Sequence, residues 1–163
     1  MNEAYLILGG NKGEIFKNLQ TAKQLIEQHS GVIINKSDFF ETAAWGNTNQ
    51  PNFVNQVILI HTNLSAVKLL SKLLLIEEKL GRIRTNEKWM ERTMDIDILF
   101  FNNEIINIPN LIIPHPFIQD RKFVLIPLDQ IAGELIHPVY NKSIHTLLKE
   151  CVDNLEVKFI NPI

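Results

Sequence analysis

Residues 65–101 read SAVKLLSKLLLIEEKLGRIRTNEKWMERTMDIDILFF, and this stretch decides the fold. Apolar side chains at 66, 69, 70, 73, 76 and 80 recur at the helical period, Ser65 is placed to cap the first turn, and Gly81 is a natural C-terminal stop. Residues 82–92 are polar and form a loop. From Met94 to Ile98 apolar and acidic residues alternate, which is the two-residue period of a strand and sends Asp95 and Asp97 out of one face of a sheet. Their backbone positions are roughly 6.5 to 7 Å apart by strand rise, close enough to hold one or two divalent cations between them.

Upstream, 5–8 is a short apolar strand closed by the turn-forming run Gly9-Gly10-Asn11-Lys12-Gly13, where glycine supplies positive φ. Ile15, Leu19, Ala22, Leu25 and Ile26 stripe a helix that His29-Ser30-Gly31 stops. Residues 32–40 and 53–61 read as strands pairing in an antiparallel hairpin across the long loop 42–52. Downstream, Asn102-Asn103 turns the chain into a short returning strand around 105–108. Residues 109–138 are punctuated by proline with a helix over 123–132, and a last helix near 144–151 and a strand at 156–159 follow. Strand, helix, strand, strand, helix, strand is the βαββαβ plan of a ferredoxin-like α+β sandwich, here with C-terminal additions, an antiparallel sheet and helices on one of its faces. At 163 residues the chain reads as one domain, 1–163.

Composition narrows the function classes. The net charge of −2 argues against a nucleic-acid partner, and no apolar run approaches a membrane span. Cys151 is the only cysteine and reads as a structural thiol in a reducing cytoplasm, and the N-terminus carries no export signal. Twelve lysines are scattered from Lys12 to Lys158, whereas the only four arginines are Arg82, Arg84, Arg92 and Arg121. A chain that otherwise uses lysine reserves arginine for a planar, bidentate grip on phosphate.

The candidate chemistry follows from these residues. Two carboxylates on one face repel unless a cation sits between them, and Mg²⁺ suits an oxygen-only pair, whereas Zn²⁺ would ask for Cys and His that are not arranged here. No phosphate loop of the G-x-x-x-x-G-K-[ST] kind exists, so phosphate is held by side chains and metal. Trp89 sits in the polar loop between arginines, either as a buried staple or packed on a flat heterocycle. Phe53 and Asn55 share a strand face, an aromatic beside an amide able to read the edge of a stacked ring. His115 stands between Pro114 and Pro116, which fixes where its imidazole points. His29, His61, His137 and His145 read as surface or capping residues.

Taken together these motifs resemble the 6-hydroxymethyl-7,8-dihydropterin pyrophosphokinase family over nearly the whole chain: A-Y-L-I-L-G-G-N at the start, E-T-A-A-W-G, P-N-F-V-N, I-E-E-K-L-G-R-I-R, R-T-M-D-I-D-I-L, and I-P-H-P ahead of R-K-F-V-L-I-P-L. The resemblance implies transfer of pyrophosphate from ATP to the pterin's hydroxymethyl oxygen with release of AMP, a step of folate biosynthesis; separately, the chain is expected to be a cytoplasmic monomer. The resemblance also implies that Asp95 and Asp97 hold two Mg²⁺, that Arg82, Arg84, Arg92 and Arg121 hold the triphosphate with His115 nearby, and that Arg82 and Arg92 act in catalysis with the two aspartates. Phe53 and Phe123 would sandwich the pterin while Asn55 and the backbone of Thr42, Ala43, Ala44, Trp45 and Gly46 read its edge. Glu77 and Trp89 would lie along the nucleotide side, and Ile98 would meet adenine through its backbone.

The chain departs from the family pattern in four places. Phe53 replaces a frequent Tyr; Met90-Glu91 and Ala43-Ala44 each replace a stiffer pair; and Asn110 stands where some members carry a basic residue. Two rivals share part of the pattern: another Mg-dependent D-x-D nucleotide transferase, which leaves Phe53, Asn55 and Phe123 unexplained, and a non-catalytic ferredoxin-like binding module, whose RNA-binding form would want a basic face.

Overall fold

The structure, a computed structural model, describes residues 1–43, 49–81 and 93–162. β1 (Asn2–Gly10) leads into α1 (Ile15–His29), β2 (Val32–Lys36), β3 (Phe39–Thr42), β4 (Phe53–Thr62) and α2 (Ala66–Lys79). There follow β5 (Asp95–Phe101), a ribbon of β6 (Ile106–Ile108) and β7 (Leu111–Ile113), a 3-10 turn (Ile118–Asp120), α3 (Lys122–Ala132), α4 (Ile144–Glu150) and β8 (Val157–Ile160). The main sheet runs β5, β1, β4, β3, β8, with β2 also on β4 and every pairing antiparallel. This is the expected ferredoxin-like plan. The helix caps are also as expected: the Ser65 hydroxyl accepts the Lys68 N–H at 3.3 Å, and Gly81 takes φ +87° after the last turn of α2.

Helices cover both faces of the sheet, not one. Leu6, Leu8, Ile58, Ile60, Ile96 and Ile98 pack on the side of α1 and α2, while Ile7, Val57 and Leu99 pack against α3 and α4 through Val124, Leu125, Leu128, Ile144 and Leu147. The physical reason lies in the strands themselves: YLIL, VILI and ILFF are continuous apolar runs, the signature of a sheet buried on both sides. The C-terminal additions are therefore a third layer.

Three local readings change. The strand expected over 32–40 is interrupted, because Ser37 donates its N–H to Val57 O (2.8 Å) and accepts the Val57 N–H on its hydroxyl (3.0 Å), shifting the ladder at that point. β6 returns onto β7 instead of β5: Asn102 (φ +50°) is tied to Glu3 by its N–H and by its side-chain oxygen, and Asn110 (φ +70°) supplies the left-handed corner between β6 and β7. His137 is buried, 2% exposed, with Nδ1 accepting the N–H groups of Val139 and Tyr140 and its ring edge-on to Phe100. It does cap a turn, but from inside the core. Among the described residues no helix is long and apolar enough to cross a membrane.

Candidate active site

The site is built on strand register. Gly9 of β1 stands opposite Asn55 on one side and Asp95 on the other; one step along, Ile7 stands opposite Val57 and Asp97. Residues directly opposed in antiparallel strands share a face. Asp95, Asp97, Asn55 and Phe53 therefore leave the sheet on the side that α3 covers, and Thr42 of β3, opposite Phe53, joins them. Ile96 and Ile98 fall in the other layer. A cavity of about 230 Å³ opens here, lined at one end by Asp95, Asp97, His115 and Arg121 and at the other by Phe53, Asn55, Phe123, Thr42 and Ala43.

Gly9 joins the two ends. The sequence places it in a turn, but it lies within β1, and in that run only Gly13 takes a left-handed φ (+74°). The reason for glycine is space: a Cβ at residue 9 would sit 1.9 Å from Asn55 Oδ1. The Asn55 carboxamide occupies the room that a side chain would fill, so the floor between the aromatic end and the carboxylate end is bare backbone. Asn11, 2% exposed, ties the next turn to the approach of β4 by donating to Gln50 Oε1 (3.1 Å) and Pro51 O (3.0 Å).

The charged end is ordered from two directions. His115 donates its N–H to Leu99 O on β5 at 2.9 Å, and its Nδ1 accepts the Phe117 N–H at 3.2 Å. That bond assigns the ring proton to Nε2, which faces Asp97 Oδ2 at 4.0 Å. Burial first, and the Arg121 charge second, hold the imidazole's pKa down to about 4 against the opposing pull of Asp95. His115 is thus a neutral Nε2–H donor at physiological pH. Arg121 opens α3, and its guanidinium lies over Phe117 (4.7 Å) and Phe123 (5.7 Å). Burial works against its charge, while Asp97, Asp120, Asp95 and Asp153 favour it.

Other expected site residues lie elsewhere. Glu77, 1% exposed on α2, accepts the Ile96 N–H on Oε2 at 2.7 Å and so fixes the start of β5; it does not line the cavity. The Ile98 side chain is in the core and β5 is the outer strand of the sheet, so only its backbone is available to a ligand. Arg82, Arg84, Trp89 and Arg92, with Ala44, Trp45 and Gly46, lie outside the described residues, as do Met90 and Glu91. The sequence reading missed Phe117, which supports both Arg121 and His115; its one signal was an aromatic two residues after a proline-framed histidine.

The donor set at the charged end fits a hard cation. Asp95 and Asp97 offer only oxygen, and among the described residues no group of three or more His, Cys, Asp or Glu could enclose a metal by itself. Such a pair suits an ion that completes its shell with oxygens of a bound substrate and water. Fold and site together define a class: a ferredoxin-like domain whose cavity joins a carboxylate end fit for a hard cation to an aromatic end over one floor, the layout of a group-transfer enzyme.

Residues 5–133 match the family described as 7,8-dihydro-6-hydroxymethylpterin-pyrophosphokinase (HPPK). The chain is 40% identical to the 2-amino-4-hydroxy-6-hydroxymethyldihydropteridine pyrophosphokinase of Haemophilus influenzae, across 99% of this chain and 100% of that protein. It is 41% identical to the protein of the same name from Bacillus subtilis, across 82% of this chain and 80% of that one. The crystal structure of Plasmodium falciparum HPPK-DHPS superimposes with a TM-score of 0.76 over 91% of this chain and 44% of that chain, a likeness of fold at 20% identity. The chain belongs to the HPPK family.

Proposed function

We infer that the protein transfers pyrophosphate from ATP to the hydroxymethyl oxygen of 6-hydroxymethyl-7,8-dihydropterin, giving AMP and the pterin diphosphate, a step of folate biosynthesis. One observation carries the reading onto this chain: the register Asn55–Gly9–Asp95, which sets a ring-reading amide and a cation-holding carboxylate on either side of an unobstructed floor. A reaction between a flat heterocycle and a polyphosphate asks for that adjacency.

In this reading Phe53 and Phe123 stack on the two faces of the pterin, Asn55 hydrogen-bonds its edge, and Thr42 and Ala43 begin the backbone that completes the slot. Ala44, Trp45 and Gly46 continue it. Arg121, stiffened by its two aromatic neighbours, clamps the phosphates, and Arg82, Arg84 and Arg92 are proposed to join it with Trp89 on the nucleotide side. Asp95 and Asp97 would hold two Mg²⁺, which supply charge neutralisation for the phosphates and for the attacking oxygen. His115 donates from Nε2 to a phosphate oxygen and is no base, because its Nδ1 is taken by the Phe117 N–H. The hydroxymethyl oxygen attacks the β-phosphorus and gives up its proton to water as the new O–P bond forms, the bond from that phosphorus to the α–β bridging oxygen breaks, and AMP leaves with that electron pair. Little covalent chemistry falls to the protein, which positions the partners and offsets charge.

The test is direct. With Mg²⁺, ATP and 6-hydroxymethyl-7,8-dihydropterin the protein should release AMP only when the pterin is present. Release of ADP, or no turnover by folded protein, would overturn the reading.

A further inference from the structure

The first turn of α3 carries a residue from each half of the site, Arg121 for phosphate and Phe123 for the ring, yet it has no cap of its own. Arg121 occupies the N-cap, its side chain makes no capping hydrogen bond to the first turn, and no acidic residue stands there. The opening N–H groups of a helix need acceptors and favour negative charge. Here the acceptor comes from 31 residues downstream: Asp153 Oδ2 accepts the Lys122 N–H at 3.0 Å. The other carboxylate oxygen is fixed as well, since Oδ1 accepts the Leu155 N–H at 3.0 Å. The Asp153 charge also favours the Arg121 guanidinium. The far end of α3 is held separately, by Gln130, whose side chain donates to Asp38 Oδ2 (2.6 Å) and accepts the Asp38 N–H (2.7 Å).

We propose that Asp153, in the segment between α4 and β8, is a positioning residue for both substrates: by capping Lys122 it sets the start of α3 and hence the places of Arg121 and Phe123. This rests on the proposed function for what those two side chains hold. Asp153 lies outside the family-matched residues 5–133 and does not line the cavity. It acts through the backbone, and its segment is anchored on both sides, by Cys151 packed against the α3–α4 layer and by β8 paired with β3.

The test combines affinities with a readout that needs no turnover. Asp153→Ala loses a helix cap, which should loosen the start of α3 and speed exchange of the Lys122 amide hydrogen by about tenfold, and the shifted Arg121 and Phe123 should weaken both pterin and ATP binding about threefold to tenfold. Asp153→Asn leaves one oxygen for two N–H groups and loses the charge, so it should speed exchange of the Lys122 or the Leu155 amide and weaken both substrates, ATP more than pterin; if the alanine variant does not fold, accelerated Lys122 exchange in this variant with both affinities within twofold of wild type would overturn the proposal. Glu150→Gln, which removes the charge from an exposed pair with Lys142 at the end of α4, should leave both affinities as they were. Substrate affinities within twofold of wild type in folded Asp153→Ala, or an unchanged Lys122 exchange rate, would overturn the proposal. No AMP from the wild type, with Lys122 exchange accelerated in the variant, would overturn the functional reading and still support the cap.

Discussion

Gly9→Ala tests the floor of the cavity with a single methyl group. The backbone at residue 9 is extended strand, so alanine meets no conformational penalty there, and in a strand interior it even recovers roughly 0.5–1 kcal/mol of chain entropy. The cost is local. The new Cβ would lie 1.9 Å from Asn55 Oδ1 and 2.9 Å from Asn55 Cγ, far inside contact distance, and 3.3 Å from Val54 O. Because Asn55 is a side chain and Val54 O is backbone, it is the Asn55 carboxamide that gives way. It then leaves the position from which it is proposed to meet the pterin ring. A polar ring edge left without its partner costs about 1–3 kcal/mol, so pterin affinity should fall roughly 5- to 150-fold. ATP affinity should change little, since Arg121 and the two aspartates stay where they are. Titration of the pterin by calorimetry, beside ATP titration and a thermal melt, separates these effects. Pterin affinity within twofold of wild type in a folded Gly9→Ala protein would refute the reasoning, as would an equal loss for both substrates.

Asp97→Ala should abolish most activity while the fold survives, since the Asp97 side chain is 46% exposed and opens no core; an unfolded variant by circular dichroism would make the pair structural. Phe123→Ala should weaken pterin binding most, with a smaller loss for ATP because its ring also flanks Arg121; unchanged pterin affinity would contradict the stacking role. Glu77→Ala should cost about 1–3 kcal/mol by orphaning the Ile96 N–H, and Glu77→Gln less, as read from denaturant midpoints. His115, neutral in the folded state down to about pH 4, gains a proton on unfolding between that pH and its ordinary value near 6.5. Stability of the metal-free protein should therefore lose about 3 kcal/mol from this group as pH falls from 6.5 to 4, with no contribution above 6.5. His115→Asn, which keeps an acceptor for the Phe117 N–H and does not titrate, should remove that slope in urea unfolding; an unchanged slope would contradict the burial argument.

The alternation from Met94 to Ile98 sufficed to place both aspartates on one face, and the phase of Phe53 with Asn55 placed those two together, because a strand's period of two leaves no other choice. Ser65 and Gly81 likewise marked α2 by local chemistry alone. What stayed hidden depends on partners far away in sequence. Gly9 looks like turn punctuation until β4 lies beside it and Asn55 claims its missing side chain. The second helical layer was written in the continuous apolar runs of β1, β4 and β5, but such runs do not say which segment covers them. His137 carries no mark in sequence of its burial behind Phe100, and Asp153 none of its reach back to Lys122. Glu77 reads as one more charged helix residue, yet its carboxylate is committed to the first peptide of β5.

The central claim is that one cavity brings the pterin hydroxymethyl group up to the phosphates held at Asp95 and Asp97. The measurement closest to it uses Mn²⁺ in place of Mg²⁺, a non-hydrolysable ATP analogue, and pterin carrying ¹³C at the hydroxymethyl carbon. Strong paramagnetic relaxation of that carbon in the ternary complex, lost in Asp97→Ala, is the predicted result. A hydroxymethyl carbon that binds yet feels no metal would contradict the account.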